Sequence, residues 1–279
     1  MTLCGDLPAP ASDAGALSAR PDTFEYAGID DALNLSESRL AGEVALAINY
    51  NGINHAVMMV SPLDYEDFII GFSLASGIIQ HPGEIYRINL ADMGNSVQAD
   101  IEVSNRAVWV LKQSRRSMLG SSGCGICGVE ALDQAIPQLE QRPHAKLPAP
   151  ATLHALRQRI SSHQVLAQRS GALHGAFYID SLGAVVMGRE DIGRHNALDK
   201  LIGAMAIADR NAQEGFVVVT SRCSLELIVK AVRANVGTLV SLSAPTALAT
   251  NTARDHGLNL IHLPHHSPAR VYSPAPESR

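Results

Sequence analysis

Residues 216–263 read FVVVTSRCSLELIVKAVRANVGTLVSLSAPTALATNTARDHGLNLIHL, and their pattern decides the fold class. Short apolar runs such as Phe216-Val217-Val218-Val219 are typical of strands buried on both faces of a parallel sheet. The predicted elements are strand Phe216–Thr220, helix Leu225–Val232, strand Leu239–Ser243, helix Thr246–His256 and strand Leu258–Leu263. Strands that alternate with helices over short connections predict a mixed or parallel sheet covered by helices.

The residues before this stretch are predicted to add strands and helices to the same sheet and its covering helices. Gly175–Asp180 and Ala184–Met187 are predicted to form a hairpin, and Ala197–Ala208 a helix. Helices are also predicted at Val129–Leu139 and Leu153–Leu166, from their apolar spacing. These elements predict a larger α/β domain.

The N-terminal part of the chain has a different, β-rich pattern. Val44–Tyr50 and Ile53–Val60 flank Asn51-Gly52, a dipeptide that suits a type I′ turn because both residues tolerate positive φ. Ser61-Pro62 predicts the start of a helix that ends at Gly77. Further predicted strands are Ile85–Leu90, Val97–Val103 and Ala107–Leu111.

Together these patterns predict an α/β (α+β) protein of two domains. Residues 1–23 are rich in Ala, Pro and Ser and are expected to form a disordered tail. Residues 24–118 are expected to form the smaller β-rich domain, joined by the C-terminal segment 264–279. Residues 119–263 are expected to form the larger domain.

Composition narrows the range of functions. The chain has 279 residues, a net charge of −5 and 46% apolar residues, which favours neither a nucleic acid nor an acidic membrane as the partner. No apolar run approaches the roughly 18 residues that cross a bilayer. The N-terminus lacks the pattern of a signal peptide. We therefore expect a cytoplasmic protein, in which cysteines serve chemistry more often than cross-linking.

Cys124 and Cys127 form a CxxC pair in a loop with glycines at positions 120, 123, 125 and 128. If a helix begins at Val129, its free backbone N–H groups and dipole favour a thiolate at the pair. Arg115 and Arg116 add positive charge nearby. This placement suits a sulfur nucleophile.

A CxxC pair also serves as half of a structural zinc site or as a redox disulfide. A structural zinc site needs four ligands, and this chain has neither a second CxxC nor a matching His spacing. A thioredoxin-type disulfide normally opens a helix in an early βαβ unit, which the residues before Cys124 do not provide. Both alternatives are disfavoured but stay open beside a third, a cysteine that carries sulfur as a persulfide, and no structural metal is expected.

Two polar loops follow predicted strands of the larger domain. Residues 188–196 contain Arg194 and His195, and residues 220–226 contain Ser221 and Arg222. Ligands of open α/β sheets collect at the carboxyl ends of strands, where helix N–H groups bind anions. The loops therefore predict an anion-binding crevice, although a capped and solvated helix start is the ordinary alternative for residues 188–196. Cys223 fits a small buried residue.

Four segments in this order resemble the FdhD family of sulfur carriers required for formate dehydrogenase activity. They are VMMVSP (57–62), GFSLASGII (71–79), GCGICGVE (123–130) and EDIGRHNALDK (190–200). The resemblance implies a cytidine-deaminase-like α/β/α domain with a second, smaller β-rich domain, and a homodimer. The deaminase signature itself, H-x-E or C-x-E with P-C-x-x-C, is absent, so deaminase chemistry is not expected.

The resemblance also implies a function. Family members accept persulfide sulfur from a cysteine desulfurase on the CxxC and pass it to the molybdenum (or tungsten) bis-guanine-dinucleotide cofactor before its insertion into formate dehydrogenase. Cys124 corresponds to the persulfide-bearing cysteine, and Cys127 to its partner. The alternative is an insertion chaperone that binds the guanine-nucleotide cofactor without transferring sulfur.

The family's cofactor-binding segment precedes a Val-Tyr pair near the C-terminus. It corresponds here to Leu263, Pro264, His265, His266, Ser267 and Pro268. Many relatives carry Lys or Arg in it, whereas this chain has two histidines and, further on, Arg270. Arg194, His195, Ser221 and Arg222 are predicted to bind the cofactor with this segment. Asp199 is predicted either to accept the guanine N–H groups or to pair with a neighbouring cation.

Overall fold

The computed structural model of the protein describes residues 23–29, 31–120 and 139–276. The CxxC pair and almost all of the predicted helix Val129–Leu139 lie outside the described residues. The predicted tail 1–23 also lies outside them, apart from Thr23, which begins a strand.

Strands and helices form three sheets and their connecting layers. The strands are β1 (Thr23–Gly28), β2 (Asp31–Arg39), β3 (Val44–Tyr50), β4 (Ile53–Val60), β5 (Ile85–Asp92), β6 (Ser96–Val103), β7 (His174–Asp180), β8 (Val185–Asp191), β9 (Gly215–Val219), β10 (Thr238–Ser241), β11 (Asn259–His262) and β12 (Arg270–Ser273). The α-helices are α1 (Tyr65–Ala75), α2 (Asn105–Gly120), α3 (Pro150–Leu153), α4 (Leu156–His163), α5 (Val165–Ser170), α6 (Arg194–Ile207), α7 (Leu225–Arg233) and α8 (Ala247–Asp255). A 3₁₀ turn covers Pro82–Glu84.

The larger sheet has six strands in the order β12-β11-β10-β9-β7-β8. Strands β9, β10 and β11 are parallel, while β7, β8 and β12 pair antiparallel with their neighbours. Helices α6, α7 and α8 contribute apolar residues to the core on one face, and α4 contributes to a smaller core on the other. The predicted mixed α/β class is confirmed.

The smaller sheet has the order β4-β3-β6-β5, with β3 and β6 parallel. One core cluster joins it to α1 and α2. The predicted hairpin turn is confirmed, because Asn51 and Gly52 have φ of 46° and 76°. Strands β1 and β2 form a separate hairpin that the sequence reasoning missed.

Four local predictions are wrong. Helix α1 begins at Tyr65 and not at Ser61-Pro62, because Asp64 before it adopts a left-handed φ of 54°. Residues 107–111 belong to helix α2, because Ser104 caps it and Ala107 and Leu111 are buried at helical spacing. The single helix predicted at Leu153–Leu166 is divided into α3, α4 and α5, since Ala155 adopts a left-handed φ of 51°. The C-terminal segment does not join the smaller sheet, because β12 pairs with β11 at the edge of the larger one.

The two larger sheets are joined where α1 crosses α6. The helix backbones approach so closely that a Cβ placed on Gly71 would lie 1.7 Å from the carbonyl oxygen of Asp199. A Cβ on Gly203 would lie 1.9 Å from the carbonyl oxygen of Asp67. Only glycine allows this approach.

Gly71→Ala is therefore expected to lower the free energy of unfolding by about 1–3 kcal/mol, since a backbone carbonyl cannot yield as a side chain can. Helix propensity alone would favour alanine by roughly 0.5–1 kcal/mol, so the two causes predict opposite signs. Urea denaturation measures the change. Gly83→Ala is the control, because its Cβ meets only the side chain of His81, at 3.3 Å. Unchanged or increased stability of Gly71→Ala would contradict the expected clash.

Candidate functional site: a strand edge with positive charge

The candidate site lies at the edge where β9, β10 and β11 end. Parallel pairing brings the loops after these three strands to the same edge. The Ser241 hydroxyl donates hydrogen bonds to the carbonyl oxygens of Ser221 (3.1 Å) and Ser243 (2.7 Å) and so ties two of the loops together. This is the position at which open α/β sheets bind ligands.

Strands β7 and β8 bring further residues to the same edge. Because β7 is antiparallel to β9, its first residues lie beside the end of β9, and the Gly175 N–H donates to Thr220 Oγ1 at 2.9 Å. His174 is the register partner of Asp191, the last residue of β8. Helix α6 begins three residues later, with Arg194 and His195. The edge therefore brings together both polar loops that the sequence predicted to share a crevice.

Arg222 and Arg194 give this edge positive charge, and His174 lies beside them. Arg222 is exposed, and no carboxylate of the described residues lies within ion-pair distance of it. The Arg194 Nε is buried without a hydrogen-bond partner. Burial lowers the pKa of His174, and the charges of Arg194 and Arg222 lower it further, against the opposing effect of Asp191. The charge of the two arginines is thus available to an anion.

Ser221 and His195 are less available than the sequence suggested. Ser221 is buried, and its hydroxyl donates to the carbonyl oxygen of Arg222 at 3.1 Å. The Nε2 of His195 lies 2.6 Å from Glu226 Oε2. Burial lowers the pKa of His195, while Glu226 acts in the opposite direction. Ser221 is thus engaged within its own loop, while His195 pairs with Glu226 in a contact that lacks the geometry of a hydrogen bond.

Asp199 does not lie at the edge, and the predicted guanine contact is replaced by its alternative, a cation pair. The residue is 1% exposed, and both carboxylate oxygens accept hydrogen bonds from Lys230 Nζ at 2.8 Å. It faces the α1 side, where Lys230 Nζ also lies 5.5 Å from the centre of the Phe72 ring. Burial raises the pKa of Asp199 to about 6, against the opposing charge of Lys230.

The start of α6 is fixed by a second buried ion pair. Lys200 Nζ lies 2.8 Å from Asp191 Oδ2, with both side chains fully buried. Lys200 also donates to the Ser61 carbonyl oxygen, and Asp191 accepts from the Ser61 N–H at 2.9 Å. Asn196 donates to Asp191 (2.9 Å) and to the Met59 carbonyl oxygen (2.8 Å). The segment EDIGRHNALDK thus docks against VMMVSP, a contact that the sequence reasoning missed.

The C-terminal segment adds exposed polar groups to the same edge. Residues 265–268 are exposed and follow β11, beside the loop after β10. Arg157 of α4 clamps both loops, because its guanidinium donates to the carbonyl oxygens of Leu242 and Leu263. It also lies 3.2 Å from His265 Nε2. No sequence signal pointed to Arg157, since its partners are about 100 residues away along the chain.

Cys223 is excluded as the reactive cysteine. Its side chain is fully buried, and burial raises the pKa of the thiol to about 12. It therefore stays protonated and inaccessible at neutral pH.

Within residues 23–29, 31–120 and 139–276, no group of three or more His, Cys, Asp or Glu side chains is arranged to hold a metal ion. The expectation of no structural zinc at the CxxC pair stays a prediction.

The fold and the site define an α+β protein with a cationic edge at the ends of its parallel strands. Comparison with known proteins shows the family to which the chain belongs. The FdhD/NarQ family model matches residues 41–278, and the chain belongs to this family. The sulfur carrier protein FdhD of Bordetella petrii is 40% identical over 271 residues, which cover 95% of each chain. The protein of that name from Xanthomonas campestris is 42% identical over 241 residues, covering 85% of this chain and 84% of its own.

A solved structure shares the fold. It is described as a formate dehydrogenase accessory protein from Desulfotalea psychrophila, and it matches with a TM-score of 0.69 at 21% identity. The match covers 92% of this chain and 97% of the other. No helix among the described residues is long and apolar enough to cross a membrane.

The raised pKa of Asp199 predicts how stability depends on pH. Because the folded-state pKa of about 6 exceeds the ordinary value of 3.8, the folded protein binds more protons between these values. The contribution of Asp199 is therefore fully present at low pH and is lost as pH rises through 6. Relative to Asp199→Asn, the wild type is expected to lose about 1 kcal/mol of unfolding free energy between pH 5 and pH 7. Urea denaturation of both proteins at each pH measures this difference, and parallel pH profiles would contradict it.

Proposed function

We propose that the protein is a cytoplasmic, homodimeric sulfur carrier and sulfurtransferase. In this proposal it takes persulfide sulfur from a cysteine desulfurase and transfers it to the molybdenum (or tungsten) bis-guanine-dinucleotide cofactor before insertion into formate dehydrogenase. The observation that carries the proposal is the similarity to proteins named sulfur carrier protein FdhD over most of the chain. The Cys124–Cys127 pair supplies the chemistry that such a name requires.

Loading begins with a thiolate. The Cys124 thiolate attacks the outer sulfur of the desulfurase persulfide, forms a new S–S bond and releases the desulfurase cysteine as a thiolate. The product is a persulfide on Cys124, and no net oxidation occurs. Cys223 cannot replace Cys124, because its buried thiol is neither ionised nor accessible.

Release of the sulfur uses the second cysteine. The Cys127 thiolate attacks the inner sulfur, that of Cys124 itself, and expels the outer sulfur as hydrosulfide, which becomes a ligand of the metal. Cys124 and Cys127 are left as a disulfide, which a cellular dithiol reduces before the next cycle. The cofactor is the substrate that receives sulfur in this scheme.

The strand edge is proposed to hold the cofactor's nucleotide ends. Arg222 and Arg194 have no carboxylate partner in the part of the chain that the structure describes, and they are suited to phosphate, for which guanidinium groups are good hydrogen-bond donors. The segment Leu263–Pro268 lies beside them and is fixed by Arg157.

The insertion chaperone without sulfur transfer is the alternative. It uses the same cationic edge but does not need the cysteines. Replacing both Cys124 and Cys127 by alanine distinguishes the two, because a chaperone would still support formate dehydrogenase activity.

The first test of sulfur transfer is loading by a desulfurase with cysteine, followed by peptide mass spectrometry. A gain of one sulfur atom (about 32 Da) is expected on the peptide that contains Cys124. Cys124→Ala is expected to abolish loading, while Cys127→Ala loads but turns over abnormally. Cys223→Ala and Cys4→Ala are the controls and are expected to load normally. Sulfur carried by Cys4 or Cys223 in the wild type would refute the assignment.

The nucleotide site is tested separately by calorimetry with GDP. Arg222→Gln is expected to weaken GDP binding by about 10- to 100-fold, the effect of losing one charge-assisted hydrogen bond. Asp199→Asn is expected to bind normally, because Asp199 is buried against Lys230. Arg169→Gln, an exposed arginine of α5, is the charge-matched control. Normal GDP affinity of Arg222→Gln, or a preference for ADP over GDP, would remove this edge from the proposal.

A further inference from the structure

A cavity lies between the two domains, away from the strand edge just described. Its volume is about 220 Å³. One wall comes from the end of α1 and the 3₁₀ turn, and the other from the ends of α6 and α7 with the turns that follow them. The lining is mostly apolar, with Leu74, Ile202, Met205, Ala206 and Val236, and it also contains the polar side chains of Gln80, His81 and Asn235. Ligand pockets occur preferentially at such domain boundaries.

Two arginines stand at the rim of this apolar cavity. Arg233 donates one hydrogen bond, from Nη1 to the Ala75 carbonyl oxygen at 3.0 Å, and Arg210 is exposed. Neither side chain forms an ion pair with any described residue, and no acidic side chain lines the cavity. The nearest acidic group of the 3₁₀ turn, Glu84, is already bound by Arg106. The guanidinium donors at the rim are therefore available.

Arg233 is exposed overall, and the loss of water around part of its side chain lowers the pKa of its guanidinium. Among the described residues no acidic group lies within ion-pair distance of it. An anion placed in the cavity mouth would provide the missing partner. Apolar walls below it would at the same time cover the uncharged part of the same molecule.

We propose that this cavity binds a small amphipathic carboxylate, with its apolar body between the domains and its carboxylate on Arg233 and Arg210. The size supports this class, because an engineered apolar cavity of about 150 Å³ accommodates benzene. A volume of about 220 Å³ adds room for a carboxylate and lies below the range of roughly 300–1,000 Å³ that is typical of sites for drug-sized ligands. The site is independent of the proposed sulfur transfer, since none of its residues belongs to the strand edge.

Benzoate is the probe, and its binding to the full chain is measured by isothermal titration calorimetry and ligand-observed NMR. We expect saturable binding with a Kd on the order of 1 mM, reasonable for nine non-hydrogen atoms. Benzamide, which has the same shape without the charge, is expected to bind at least tenfold more weakly. Inorganic phosphate, which has charge without an apolar body, is also expected to bind at least tenfold more weakly than benzoate.

Two variants locate the site. Arg233→Gln keeps a donor for the Ala75 carbonyl oxygen and is expected to weaken benzoate binding by about tenfold or more. Ala206→Phe fills the cavity without changing its charge and is expected to abolish binding. Arg169→Gln is the control and should bind as the wild type does. Circular dichroism confirms that each variant is folded.

Three results would overturn the proposal. These are no saturable benzoate binding to the wild type, binding that is unchanged in both Arg233→Gln and Ala206→Phe, or benzamide binding as tightly as benzoate. None of these results bears on sulfur loading at Cys124, which is measured separately.

Discussion

The backbone contact between α1 and α6 is the constraint on which the rest of the structure depends. Gly71 and Gly203 let the two helices approach until each glycine Cα faces a carbonyl oxygen of the other helix. Any side chain at these positions would separate the helices and with them the two sheets. The buried pairs Asp191–Lys200 and Asp199–Lys230 lie close to this crossing, so their geometry depends on the same approach.

Buried ion pairs are poor sources of stability, because the cost of removing two charges from water often exceeds their attraction. Their contribution here is to fix the positions of the elements that they join. Asp191 accepts hydrogen bonds from Ser61, Gly193 and Asn196, which fixes the first turn of α6 relative to β4. Arg194 lies within that turn, so its guanidinium reaches the strand edge from a rigid support. The junction between α6 and β4 and the candidate site at the strand edge are therefore built from one set of residues.

The sequence predicted best where the signal was local. The Asn51-Gly52 turn and the strands around Phe216 depend on neighbouring residues, and the structure confirms them. The role of Arg157 depends on carbonyl groups about 100 residues away, and the placement of β12 depends on a free edge at β11. Neither leaves a pattern in the sequence. Residues 107–111 were misjudged because an apolar run of five fits a strand or a helix equally, and only the Ser104 cap distinguishes them.

The segment EDIGRHNALDK shows why a motif that identifies a family need not be its ligand site. Glu190 accepts hydrogen bonds from the N–H groups of Leu166 and Ala167, and so caps the start of α5. Asp191, Asn196 and Lys200 form the domain junction, and Asp199 pairs with Lys230. Of the basic side chains in the motif, Arg194 is the one that has no carboxylate partner among the described residues, and it lies at the strand edge. Asp191, Asn196 and Lys200 thus fix the orientation of α6, and with it the position of this one arginine.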